Sequence, residues 1–197
     1  TFENANALTV STGQITVTNN VKVSGDITMS GNATISIANG KTLDYDGASL
    51  AIGANTLALT GGTGANDEGK LDNANALTIS TGTLDVDNNI EIDGNITISD
   101  DATFDIASGK TLDYDGDQID IGDNALSIIG GGTITNANNI TLSHANSLLN
   151  IKTNASATIA KVSTSANVTG TSKGVDIDVN ATITTLTVSH TCPVLIK

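Results

Sequence analysis

The octapeptide GKTLDYDG stands at residues 40–47 and again, unchanged, at 109–116, and the offset of 69 residues between the copies aligns far more than those letters. NANAL at 4–8 meets NANAL at 73–77, and STG at 11–13 meets STG at 80–82. Asn19 and Asn20 meet Asn88 and Asn89, Ile52 and Gly53 meet Ile121 and Gly122, and Gly61 and Gly62 meet Gly130 and Gly131. The offset never slips, so residues 1–69 and 70–138 are two copies of one unit, the signature of a stacked repeat. Residues 139–190 continue the style in degenerate form, with SHANSL at 143–148 echoing the start of the unit after a two-residue shift. The last segment, 191–197 (TCPVLIK), changes character: it holds the chain's one proline and reads as a cap or a junction.

Within the unit, apolar residues come in pairs spaced by one polar residue: Leu8/Val10, Ile15/Val17, Val21/Val23, Ile27/Met29, Ile35/Ile37, Leu43/Tyr45, Leu50/Ile52 and Leu57/Leu59. The second unit repeats them from Leu77/Ile79 to Leu126/Ile128. Alternation of this kind predicts short strands that turn two side chains inward, while Gly, Asn, Asp and Ser in the gaps supply tight corners. With a ninth strand near Leu71, each unit divides into three coils of about 23 residues, three short strands to a coil. The expected fold is all-β, a single parallel β-solenoid over 1–197 with about eight coils, and its hand is expected to be right because parallel β connections generally are. A sandwich or propeller would want longer strands.

Differences between the units obey the same geometry. Thr16, Thr18, Lys22, Ser24 and Ala51 become Asp85, Asp87, Glu91, Asp93 and Asp120, while Val17, Val23 and Ile52 stay apolar as Val86, Ile92 and Ile121. At these positions charge is added on alternate residues, which places it on the solvent side of the strands.

Composition narrows the function. Aromatic residues are 2% of the chain, so the interior must be built from Ile, Leu, Val and Ala. The net charge is -13, with 21 acidic residues against 8 basic ones, all lysine. Phosphate backbones are gripped by basic residues, so nucleic acid is a poor partner, and so is an anionic membrane. No apolar run reaches the length of a membrane span. The single Cys192 excludes an internal disulfide framework.

The Gly/Asn turns, the Ile/Val/Leu alternation and the acidic, cysteine-poor make-up together resemble β-strand repeat regions of large bacterial surface proteins, the autotransporter passengers and filamentous haemagglutinin-like adhesins. The resemblance is one of style over most of residues 1–190 and carries no diagnostic motif. It implies an extracellular, cell-surface or secreted location and a shaft or adhesive role.

Each candidate site has a plainer rival. Asp44 and Asp46, with Asp113 and Asp115 in the second copy, could be paired carboxylates of a carbohydrate-cleaving β-helix, or solvated residues flanking an inward tyrosine. Duplication of the motif intact and the lack of any arginine favour the second reading, and no enzyme is expected. The run Asp113, Asp115, Asp117, Asp120 and Asp123 offers oxygen ligands for calcium, yet its spacing fits neither an EF-hand nor a glycine-rich calcium repeat. Asn32, Asn95, Asn139, Asn154, Asn167 and Asn180 fit the glycan-acceptor rule and equally suit corners that open strands. His144 and His190 lack metal-site company, Cys192 near His190 lacks a third group, and irregular corner spacing counts against the threonines forming a flat ice-binding face. The reading that follows is a structural or adhesive solenoid without cofactor, its partners copies of itself end to end or surface glycans and proteins; the alternative is a carbohydrate-binding or carbohydrate-cleaving β-helix.

Overall fold

The computed structural model describes residues 8–47, 49–61, 68–73, 77–152, 155–170, 174–178 and 181–197. Most of both NANAL segments, Phe2, Gly62, Asn154 and Asn180 lie outside the described residues. The first unit forms β1 (Leu8–Val10), β2 (Gly13–Val17), β3 (Val21–Val23), β4 (Ile27–Met29), β5 (Ala33–Ile37), β6 (Thr42–Tyr45), β7 (Leu50–Ala51) and β8 (Thr56–Thr60), and β9 (Gly69–Asn73) crosses its junction with the second. The second forms β10 (Leu77–Ile79), β11 (Thr83–Val86), β12 (Ile90–Asp93), β13 (Ile96–Ile98), β14 (Ala102–Ile106), β15 (Thr111–Tyr114), β16 (Ile119–Asp120), β17 (Ala125–Gly130) and β18 (Thr133–Ala137). The remainder forms β19 (Ile140–Leu142), β20 (Leu148–Ile151), β21 (Ser156–Thr164), β22 (Gly174–Ile177), β23 (Ala181–Thr187) and β24 (Val194–Ile196).

Through the two units every strand pairs in parallel with the strand three places further on, so three strands make a coil and the coils stack into three faces. This is the parallel β-solenoid expected from the repeat. The second face, from β2 to β24, is a nine-stranded sheet. The first and third faces join into one fifteen-stranded sheet because β21 is long enough to serve both: its Ser156–Ile159 part lies on β18, and its Val162–Thr164 part lies on β19.

Register explains the period of 69. On the first face Leu8 lies beside Ile27, Ile27 beside Leu50, and Leu50 beside Leu77, steps of 19, 23 and 27 residues that sum to the repeat. The next three steps, Leu77 to Ile96 to Ile119 to Ile140, are 19, 23 and 21. The six-residue difference falls in one corner: residues 61–68 connect β8 to β9, whereas only 131 and 132 connect β17 to β18. Corners vary in length while strands keep register, because strand stacking buries the core and corners face solvent. Leu148, in the SHANSL echo, lies in second-face β20, while Leu8 and Leu77 lie on the first face.

Inward residues form apolar columns through the stack. Leu57, Leu84, Phe104 and Ile128 follow one another on the second face, all fully buried. Such columns suit side chains that repeat in size, so a narrow interior closes without large rings. The expected charge additions all point outward: Asp85, Glu91, Asp93 and Asp120 are half-buried and Asp87 is exposed, between buried Val86, Ile92 and Ile121. Residues 191–197 add β24 to the second face, with Val194 above Val175 and Ile196 above Ile177.

Candidate functional site

The repeated octapeptide runs through a third-face strand into the corner that leads to the first face, and its inward side chains are Leu43 and Tyr45 in one copy and Leu112 and Tyr114 in the other. Alternation in β6 and β15 turns Tyr45 and Tyr114 fully inward, where their rings fill the narrow interior. A buried hydroxyl needs partners. Tyr114 Oη donates to the Gln118 carbonyl at 2.6 Å and also meets the Ile96 amide of the preceding coil. Tyr45 Oη donates likewise to the Ser49 carbonyl and accepts from the Ile27 amide at 3.3 Å. Burial pushes both phenols up from their ordinary value, which keeps them donors.

The glycine that follows is required by close approach. A Cβ at Gly116 would run into the Gly94 carbonyl and the Tyr114 hydroxyl, and one at Gly47 into the Gly25 carbonyl and the Tyr45 hydroxyl. Gly40 and Gly109, which open the octapeptide, adopt φ of 62° and 72°, a left-handed turn open to glycine at no steric cost. The tyrosine and the two glycines of the motif are therefore accounted for by the core and the turns they occupy.

The carboxylates of the octapeptide face outward. Lys22 of the preceding coil reaches Asp44 at 3.2 Å and Asp46 at 2.7 Å. These side chains are 38–43% exposed, in the range where such pairs contribute little. A shallow groove of about 400 Å3 opens here, lined by Asn20, Val21, Lys22, Thr42, Asp44 and Asp72. The second copy has Glu91 in place of Lys22, and Asp113 accepts instead from Thr135 Oγ1 at 3.2 Å and Asn136 Nδ2 at 2.6 Å. The two copies thus have unlike outward surroundings around a like interior. Stacking also forms a clamp the sequence did not suggest: Lys70 pairs with Glu91 at 2.9 Å and Asp93 at 2.8 Å. Its signal was available only once the coil register was known, since Gly69 stands beside Ile90.

The acidic run is divided by the same geometry. Asp113 lies on the third face, Asp117 in an exposed corner, and Asp120 on the first face, where it accepts from Ser143 Oγ at 2.7 Å and the Gly122 amide at 3.0 Å. Asp123 accepts from the Asn146 amide at 3.3 Å in the next corner. Among the described residues no group of three or more His, Cys, Asp or Glu is placed to hold a metal ion.

The acceptor asparagines serve as corner bridges between coils. Asn32 Oδ1 accepts from the Thr56 amide at 2.9 Å, Asn95 from Gln118 at 3.1 Å and Asn167 from Thr191 at 3.1 Å, while Asn139 accepts from Ser163 Oγ at 2.8 Å. Cys192 packs against the core with its Sγ 3.6 Å from the Pro193 carbonyl, and burial pushes its thiol up, away from a thiolate. His144 Nδ1 lies 3.1 Å from Ser143 Oγ, and His190 Nδ1 lies 3.4 Å from the Thr164 carbonyl. On the first face Thr9 stacks beside Thr28 and Thr78 beside Thr97, so uneven corners do not disturb that column; Ala51 and Asp120 interrupt it.

No family model, curated protein or solved structure matches the chain. The fold and the repeat define it as a parallel β-solenoid repeat protein. No helix among the described residues is long and apolar enough to cross a membrane.

Proposed function

We propose that the chain is a non-enzymatic structural or adhesive segment of an extracellular surface protein or filament, of the kind seen in autotransporter passengers and haemagglutinin-like adhesins. The observation that carries this reading is the setting of the octapeptide: in both copies its leucine and tyrosine fill the core and its glycines make the turns, while its outward aspartates, identical in the two copies, meet different partners, Lys22 in the first and Thr135 and Asn136 in the second. A duplicated ligand site would keep the groups around its aspartates as well, and here those groups change from one copy to the next. The mechanism is geometric. Inward columns and backbone ladders hold each coil on the last, so the outer surface is presented at a fixed distance from whatever anchors it.

Carbohydrate binding is the second reading, favoured by the third-face groove, where an amide, a hydroxyl, an amine and two carboxylates lie together. Its weakness is that the aromatic residues among the described ones, Tyr45, Phe104 and Tyr114, are fully buried and offer no stacking platform. Screening the purified chain against surface glycans and glycan polymers, with and without calcium, separates the readings. No cleavage and no binding fit a scaffold, whereas binding that is lost on altering the groove supports carbohydrate recognition. Cleavage lost on D44N or D113N would overturn it. Sedimentation across a range of concentrations reports whether copies associate end to end.

A further inference from the structure

Parallel stacking puts like residues beside like, and where those residues are acidic it builds columns of negative charge. On the third face Asp44 stands beside Asp72 and Asp72 beside Asp93, while Glu91 stands beside Asp113. On the second face Asp85 stands beside Asp105. In-register neighbours in adjacent strands are about 4.8 Å apart, close enough for carboxylates to repel. The third-face column has lysines nearby: Lys22 holds Asp44 and Asp46, and Lys70 holds Glu91 and Asp93. The second-face pair has none: Asp85 is flanked by Ala58 on β8 and Asp105 on β14, with Asp87 close by, and among the described residues neither Asp85 nor Asp105 forms an ion pair.

We propose that these in-register carboxylate columns make the solenoid a pH-graded fold, firmer in mildly acidic surroundings than at neutral pH. Partial burial, then the charges of Asp87 and Asp105, holds the Asp85 carboxyl above its ordinary value of 3.8. Partial burial, then Asp93, does the same to Asp72 against the opposing pull of Lys70, with Asp44 and Asp46 adding to the rise. Asp115 follows, raised by partial burial and then by Asp113, Glu91 and Asp93. A carboxyl whose folded value lies above its unfolded one binds protons in the folded state first. Stability therefore rises as pH falls from neutral through the folded value, and levels off below the unfolded value. Asp178, lowered by its hydrogen bond to Lys197, works the other way but is a single group.

The test is the thermal unfolding midpoint of the whole chain from about pH 7.5 to about pH 4.5 at constant ionic strength, staying above the pI of about 4.1. The wild-type midpoint is expected to rise by at least about 2–4 °C on acidification. Asp105→Asn should raise the neutral-pH midpoint and shrink the acid-induced rise, while Asp117→Asn, which removes the same charge from a corner outside the columns, should leave the rise intact. A flat or falling wild-type midpoint overturns the proposal, and so does an equal response in the two variants. Carboxyl titration of the wild-type chain by NMR gives a reading independent of any variant: Asp72 and Asp85 should titrate above 3.8, and ordinary values would overturn the proposal.

Discussion

Tyr114 and Gly116 show how one residue fixes the next. Alternation turns the tyrosine inward, its hydroxyl must then find partners at the corner, and the corner closes only if the chain after it has no side chain in the way. Gly116→Ala should lower stability by about 2 kcal/mol or more, because backbone has to move to admit the new methyl. Gly109→Ala has open space around its Cβ and should lose only about 1–2 kcal/mol, for the left-handed φ of 72° alone. Denaturant midpoints of the two variants give that order, and the reverse order would mean that the corner is not packed as described.

At the scale of the element, corners add side-chain bridges to the strand ladders that hold coil to coil. Asn124 Nδ2 donates to the Ile98 carbonyl of the preceding coil at 2.8 Å and to Ile121 of its own at 3.2 Å, and Asn55 makes the same pair of bonds to Met29 and Ile52. Removing the bridge by Asn124→Ala should cost about 1–2 kcal/mol, read from a denaturant midpoint. Register has its own test: cysteines replacing Thr78 and Thr97, with Cys192 replaced by serine, stand on adjacent strands at a separation that suits a disulfide. Rapid oxidation of that pair is expected, and failure to oxidise would contradict the first-face register. The strands were legible in the sequence because their signal is local: Leu43/Tyr45 and Leu112/Tyr114 carry their inward face on their own letters. The corner bridges were not, because Asn32 and Thr56, or Asn95 and Gln118, become neighbours only through a coil length that varies from step to step.

For the whole molecule, the same division explains what the sequence could and could not reveal. The three-strand coil and the count of nine strands to a unit follow from the period of 69 and the apolar pairs. The joining of the first and third faces through β21 does not, since it depends on a corner being absent between Ile159 and Val162. Of the candidate site, the outward position of the aspartates was readable, whereas the lysine clamps were hidden in register. The dispersal of Asp113, Asp117, Asp120 and Asp123 among third face, corners and first face leads to a prediction for cations. Calcium and magnesium at equal concentration should shift the unfolding midpoint equally, as charge screening does, while a shift specific to calcium would reveal a real site.

The claim on which the account rests is that the two GKTLDYDG copies are framework. Denaturant unfolding of Tyr114→Phe beside Asp115→Asn tests it most directly. A framework corner predicts that losing the tyrosine hydroxyl, which donates to the Gln118 carbonyl beside the Ile96 amide, lowers stability by about 0.5–1.5 kcal/mol, and that losing the Asp115 charge lowers it not at all. A Tyr114→Phe chain as stable as the wild type, with Asp115→Asn the damaging change, would contradict it.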